Sequence, residues 1–348
     1  MNRNTNRNVD LRSDTITRPP PEMRKAIAEA EVGDDVFYED PTVNRLQETV
    51  AELIGKEKGL FVPSGTMANQ CAIKTHTKPG DEIIAEEGCH IVNFESGAPG
   101  LLSGVMIRTI FTENGVFTAE QVETKIRPRT YHYPQTALIE IENTHNRAGG
   151  VIFPLDEIKR IRELSLKHNI PMHLDGARLW NASAATGIPL SEWAKYFDSV
   201  SVCFSKGLGA PAGSMLLGDE EFIVRAHRYR KLFGGGMRQS GILAAAALYA
   251  VENNQYKLVD DHLKARILAE AVSRCEPFNI DLSITQTNIV IWKVNSGKLT
   301  AEHVVGEMEK AGILALDIGG GKIRAVCHLD VSYEDVEYAT ETMEKLFG

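Results

Sequence analysis

A lysine delivered from a buried strand is the residue best placed to do chemistry. Between Ser199 and Gly213 the chain reads SVSVCFSKGLGAPAG. Val200 to Phe204 form an apolar run and Lys206 follows it; Gly207, Gly209, Pro211 and Gly213 then break the chain into a tight loop. Ammonium groups are strongly hydrated, so most lysines at a strand end stay in water. A lysine held in a drier loop is instead a nucleophile able to form a Schiff base with a carbonyl compound.

A lysine of that kind needs company: a carboxylate for a pyridine nitrogen and an anion site for a phosphate. Ile170 to Asp175 is a short apolar stretch ending in a carboxylate, followed by Gly176, Ala177 and Arg178. An Asp-Gly pair after a strand ordinarily makes a turn; here its carboxylate can also keep a ring nitrogen protonated. Gly59 to Asn69, GLFVPSGTMAN, reads as a strand, then small residues, then a helix start. Ser64 or Thr66 can cap that helix, and the amides around Gly65 and Thr66 can hold a phosphate. Together the three features point to pyridoxal 5'-phosphate.

These stretches belong to a longer series. VDLRSDT (Val9 to Thr15), PSGTMAN (Pro63 to Asn69), ENTHN (Glu142 to Asn146), HLDGAR (His173 to Arg178), SKGLGAP (Ser205 to Pro211) and GGGMRQ (Gly234 to Gln239) occur in that order. In this the chain resembles the low-specificity L-threonine aldolases over nearly its whole length. The resemblance implies a transferase-like α/β fold dependent on pyridoxal phosphate. A large domain would hold a mostly parallel seven-stranded sheet, followed by a smaller C-terminal α+β domain. It also implies retro-aldol cleavage of L-threonine or L-allo-threonine, and of other L-β-hydroxy-α-amino acids, to glycine and an aldehyde. An aminotransferase or β-eliminating lyase would use the same lysine and aspartate, and a non-catalytic amino-acid sensor would keep both.

By the same resemblance Lys206 carries the cofactor, Asp175 meets its pyridine nitrogen, and His90 lies over its ring. Gly65 and Thr66 meet the phosphate, and Arg238 reaches the phosphate of a neighbouring subunit, so a homo-oligomer with shared sites, assembled as a tetramer, is implied. Arg178 and Arg324, with Ser13, clamp the substrate carboxylate, a task suited to the planar two-pronged guanidinium. His145 sits near the substrate hydroxyl. The base that removes the hydroxyl proton is His90, His145 or a water held by either, because geometry decides before pKa does. His173 reads as structural. Where the family has Tyr-Gly this chain has Phe37-Tyr38, so a tyrosine contact does not carry over to position 37.

Seven apolar runs must position these residues: Gly59–Val62, Glu82–Ala85, Val105–Phe111, Thr136–Glu142, Ile170–Leu174, Ser199–Phe204 and Ser214–Leu217. Helical spacing falls between them at 66–77, 118–126 and 155–168, an alternation that predicts a doubly wound sheet with ligands at its carboxyl ends. Earlier helices are predicted at 22–31 and 42–55, and later ones at 220–233, 238–252 and 256–275. The remainder alternates again, with strands at 284–294 and 322–327 and helices at 301–311 and 333–347. Residues 1–18 read as an arm whose first eight residues are a polar tail, 19–255 as the large domain and 256–348 as the small one.

With 348 residues, 43% of them hydrophobic, the chain can bury a large core. A net charge of −9 argues against nucleic-acid or acidic-membrane partners; a small amino acid as ligand is what the resemblance implies. Five cysteines without a C-x-x-C pair suit reduced thiols and a cytoplasmic location. No long apolar run suggests a membrane span, and no histidine spacing such as H-E-x-x-H suggests a metal. Gly207 to Ala212 fits a loose dinucleotide pattern, but Pro211 opens no helix and no acidic residue follows where a ribose would be held.

Overall fold

A computed structural model describes residues 8–295, 297 and 299–348; the rest of the expected polar tail, residues 1–7, lies outside the described residues. The large sheet follows a two-residue strand, β1 (Val9–Asp10). Its members are β2 (Lys58–Val62), β3 (Glu82–Glu86), β4 (Met106–Ile110), β5 (Thr136–Glu142), β6 (Met172–Gly176), β7 (Ser199–Cys203) and β8 (Ser214–Gly218). They stand in the order β2-β8-β7-β6-β5-β3-β4, parallel except for β8, which runs antiparallel to both neighbours. Every residue of β3, β6, β7 and β8 is buried. This accounts for their reading as continuous apolar runs, since helices cover both faces of such a sheet.

Each predicted strand of this sheet forms, with ends shifted by a residue or two. The helix predicted at 155–168 is Leu155–His168 and that at 66–77 is Gly65–His76. Ser64 caps the latter, its hydroxyl accepting from the Met67 amide at 3.2 Å. Two helices without a clear signal, Leu179–Thr186 and Leu190–Ala194, follow β6. The helix predicted from 238 begins only at Gly241, after the turn that carries Arg238.

The C-terminal part adds β9 (Phe278–Asn279), β10 (Ile289–Val294), β11 (Ile313–Leu314), β12 (Leu316–Asp317) and β13 (Lys322–Val326). β12-β13-β10-β9 make an antiparallel sheet. The strand predicted from 284 starts at 289, because residues 284–288 are spent on a turn. Val9 and Leu11 sit in the core of this sheet with Trp292 and Ile313. β1 pairs in parallel with β11, and Leu11 also accepts from the Val326 amide at 2.8 Å. Burying Leu11 is worth about 2 kcal/mol, which fixes the arm where it hands Ser13 and Asp14 to the large sheet. Among the described residues no helix is long and apolar enough to cross a membrane.

Phe37 and Tyr38 lie on the surface, 67% and 64% exposed. Tyr38 adopts a left-handed backbone, φ 60°, the conformation that glycine takes at least cost. Its hydroxyl lies 3.2 Å from His227 Nδ1.

Candidate active site

The carboxyl ends of β3, β5, β6 and β7 bring Glu86, Glu142, Asp175 and, three residues past β7, Lys206 to one edge of the sheet. A cavity of about 220 Å³ opens there, lined by Lys206, Asp175, His90, Arg178, Arg324 and Ser13 among others. Gly65, at the start of its helix, also lines it. A Cβ on Gly65 would come within 2.7 Å of Cys203 Sγ, so glycine is what lets the helix start close against the lysine loop. Ser64 caps this helix, so neighbouring Thr66 is not needed for that task.

Asp175 is buried. Its Oδ2 accepts from Asn69 Nδ2 at 2.7 Å and its Oδ1 from the Ala177 amide at 3.0 Å. Burial opposes its charge, yet His90, Lys206 and those two donors together hold the carboxyl below the usual range. His90 Nδ1 meets Glu95 Oε1 at 2.8 Å, and its amide donates to Glu142 Oε2 at 2.7 Å. Burial disfavours its cation, but Glu95 and the surrounding carboxylates raise its pKa. His90, Glu95 and Asp175 offer ligand atoms within 4.8 Å of one another, as a cation site would. Asn69 and the His90–Glu95 bond already use the facing lone pairs.

The cavity lining is also cationic. Arg178 grips Asp14 of the arm through Nε and Nη2, both at 2.7 Å. Burial works against the Asp14 charge, but Arg178 and Lys206 hold its pKa down to about 2. The remaining Arg178 nitrogen, Nη1, and Arg324 Nη1 converge on a single oxygen, Asn146 Oδ1, at 3.4 and 3.1 Å. Arg324, on β13, is pushed down in pKa first by burial and then by the like charge of Arg178. Its Nε is buried with no partner. Two converging guanidinium groups with an unspent donor are an arrangement that can take an anion.

Two expected residues stand apart. His145 does not line the cavity: its Nδ1 accepts from the Ala148 amide at 3.2 Å and its Nε2 faces Glu86 Oε2 at 2.9 Å. Arg238 is half-exposed and its nearest charge is Asp34, at 3.4 Å. Sequence reasoning missed Asn69, Glu95, Asp14 and Asn146. The one signal for Asn69 was a pair of amides, Asn69-Gln70, among apolar Met67, Ala68, Cys71, Ala72 and Ile73 of one helix, since buried amides must find partners.

A lysine and an aspartate on neighbouring strand ends of a doubly wound sheet, beside a helix start and an arginine pair, stand together at one edge of the sheet. The Beta-eliminating lyase family profile matches residues 10–295. The chain belongs to this family and, within it, to the low-specificity L-threonine aldolases. It is 42% identical over 344 residues to low-specificity L-threonine aldolase 1 of Arabidopsis thaliana, covering 97% of this chain and 96% of the relative. To the low specificity L-threonine aldolase of Escherichia coli K12 it is 41% identical over 329 residues, 94% of this chain and 96% of the relative. The fold is also that of Leishmania major threonine aldolase, with a TM-score of 0.84 at 18% identity over 97% and 99% of the two chains.

Proposed function

We propose that this enzyme cleaves L-threonine, L-allo-threonine and other L-β-hydroxy-α-amino acids to glycine and the corresponding aldehyde, using pyridoxal phosphate. The observation that carries this reading is one cavity lined by Lys206 and Asp175 and also by Arg178 and Arg324. When bound, the cofactor supplies an electron sink for the bond being broken. Lys206 supplies the amine that binds and releases it, Asp175 holds a proton at its pyridine nitrogen, and Gly65 and Thr66 at the helix start meet its phosphate. The close packing of Gly65 on Cys203 supports that fit.

Arg178, Arg324 and Ser13 hold the substrate carboxylate, which turns the Cα–Cβ bond to the angle that cleavage needs. His90, or a water on it, takes the hydroxyl proton. Its place in the cavity wall favours it over His145, whose two ring nitrogens are already engaged. Arg238, exposed and outside the lining of its own cavity, suits a contact across a subunit boundary, and we propose a homo-oligomer, a tetramer with shared sites. Five buried, unpaired cysteines suit the reducing cytoplasm.

The test is acetaldehyde release by the cofactor-loaded protein from L-threonine, L-allo-threonine and D-threonine. Release from the L-isomers with D-threonine inert is the expected result. Pyruvate and ammonia from L-serine without acetaldehyde would favour the β-eliminating reaction that the family description also covers.

A further inference from the structure

Asp175 stands at the end of a buried polar chain that the proposed reaction leaves unused. His76 Nε2 lies 2.8 Å from Ser199 Oγ, and Ser199 Oγ lies 2.8 Å from His173 Nδ1. His173 Nε2 lies 3.2 Å from Asn69 Oδ1, which also accepts from Ser201 Oγ at 2.8 Å. Asn69 Nδ2 then donates to Asp175 Oδ2 at 2.7 Å and to Glu95 Oε1 at 2.9 Å.

The direction of this chain is forced. Two carboxylates can only accept, so the nitrogen of Asn69 faces them and its oxygen faces His173. His173 therefore carries its proton on Nε2 and accepts at Nδ1 from the Ser199 hydroxyl, whose oxygen accepts in turn from His76. Burial pushes His173 down to about 4 and His76 to about 3, so both rings are neutral and each has one donor and one acceptor to give. Fixed dipoles in a dry interior act strongly on a charge. Asp175 also faces His90 and Lys206, which favour its charge, and it lies near the buried carboxyl of Glu140 on the adjacent strand.

We propose that His76, Ser199, His173 and Asn69 form a one-directional hydrogen-bond chain that positions Asp175 for the cofactor's pyridine nitrogen, with Asn69 coupling Asp175 to the Glu95–His90 pair. These are positioning residues: none needs to touch substrate. The inference rests on the pyridoxal phosphate reading, but not on which amino acid is cleaved.

The experiment uses the full chain stripped of cofactor and titrated with pyridoxal phosphate, followed by fluorescence quenching and by the visible band across pH. Thermal unfolding serves as the control for folding. Asn69→Asp removes the donor and adds a third acid, so the dissociation constant should rise roughly tenfold or more. A less protonated pyridine withdraws fewer electrons, so the pH midpoint of the visible band should rise by roughly one unit. Ser199→Ala cuts the chain two links from Asp175 without changing charge and should move both readouts the same way by less. Ser199→Thr restores the hydroxyl and should return them.

If Asn69→Asp fails to fold, the Ser199 pair decides. Variants that fold normally with unaltered affinity and band midpoint overturn the inference. A wild-type chain that takes up no cofactor overturns the underlying reading, and the inference with it.

Discussion

At the Asp175 end of the cavity Asn69 spends both N–H groups and its oxygen, and Glu95 is shared between Asn69 and His90. At the arginine end two guanidinium groups crowd one amide oxygen and a buried Arg324 nitrogen has no partner. A corner whose Asn69 is fully bonded is preorganised for a group that stays; an arginine with an unspent donor gains when a ligand arrives. Buried polar groups left unmade are costly; in the proposed reading the Arg324 donor is spent when a substrate carboxylate binds. Asp14 occupies only half of the Arg178 fork and holds the rest in place.

Substitution at each end should separate the two roles. Asp175→Asn removes one member of a buried charge pair, which costs about 3 kcal/mol. The dissociation constant for pyridoxal phosphate should therefore rise about a hundredfold, read by reconstitution of the apoenzyme. Unchanged cofactor affinity would break the contrast. Arg324→Gln should leave the cofactor in place and raise KM for L-allo-threonine about 10- to 100-fold, the worth of a charge-assisted hydrogen bond. Cofactor loss with an unaltered KM would reverse the assignment of the two ends.

The smallest effect concerns the Asp14–Arg178 pair. The Asp14 carboxyl has its pKa lowered to about 2 from 3.8, so its contribution to stability is present above pH 4 and is lost as the pH falls through about 2. The amount is on the order of 2 kcal/mol. Unfolding of the wild type between pH 5 and 2.5, compared with Asp14→Asn, checks it: the variant should lack this part of the acid dependence. Parallel curves would mean that the pair contributes no such term.

What could be read from the sequence follows from what has a period. Most strands of the large sheet are legible because burial on both faces writes them as apolar runs closed by Gly, Pro or a charged residue. β1, β9, β11 and β12 are two residues each and carry no pattern. Lys206 and Asp175 were visible because they end such runs. Glu95 was not, because its role comes from the fold closing a separation of 26 positions between it and Asn69. Asp14 and Arg178 are 164 residues apart and meet only because the arm is anchored on the small sheet. His173 read as a structural residue, and only its partners show that it leads to Asp175.

The most direct test of the account is to reduce the cofactor-loaded protein with borohydride, digest it and map the modified peptide by mass. One reduced pyridoxyl phosphate on the peptide containing Lys206, absent from Lys206→Ala, is the predicted result. A label on any other lysine would contradict it and, with it, the reading of the cavity on which both ends depend.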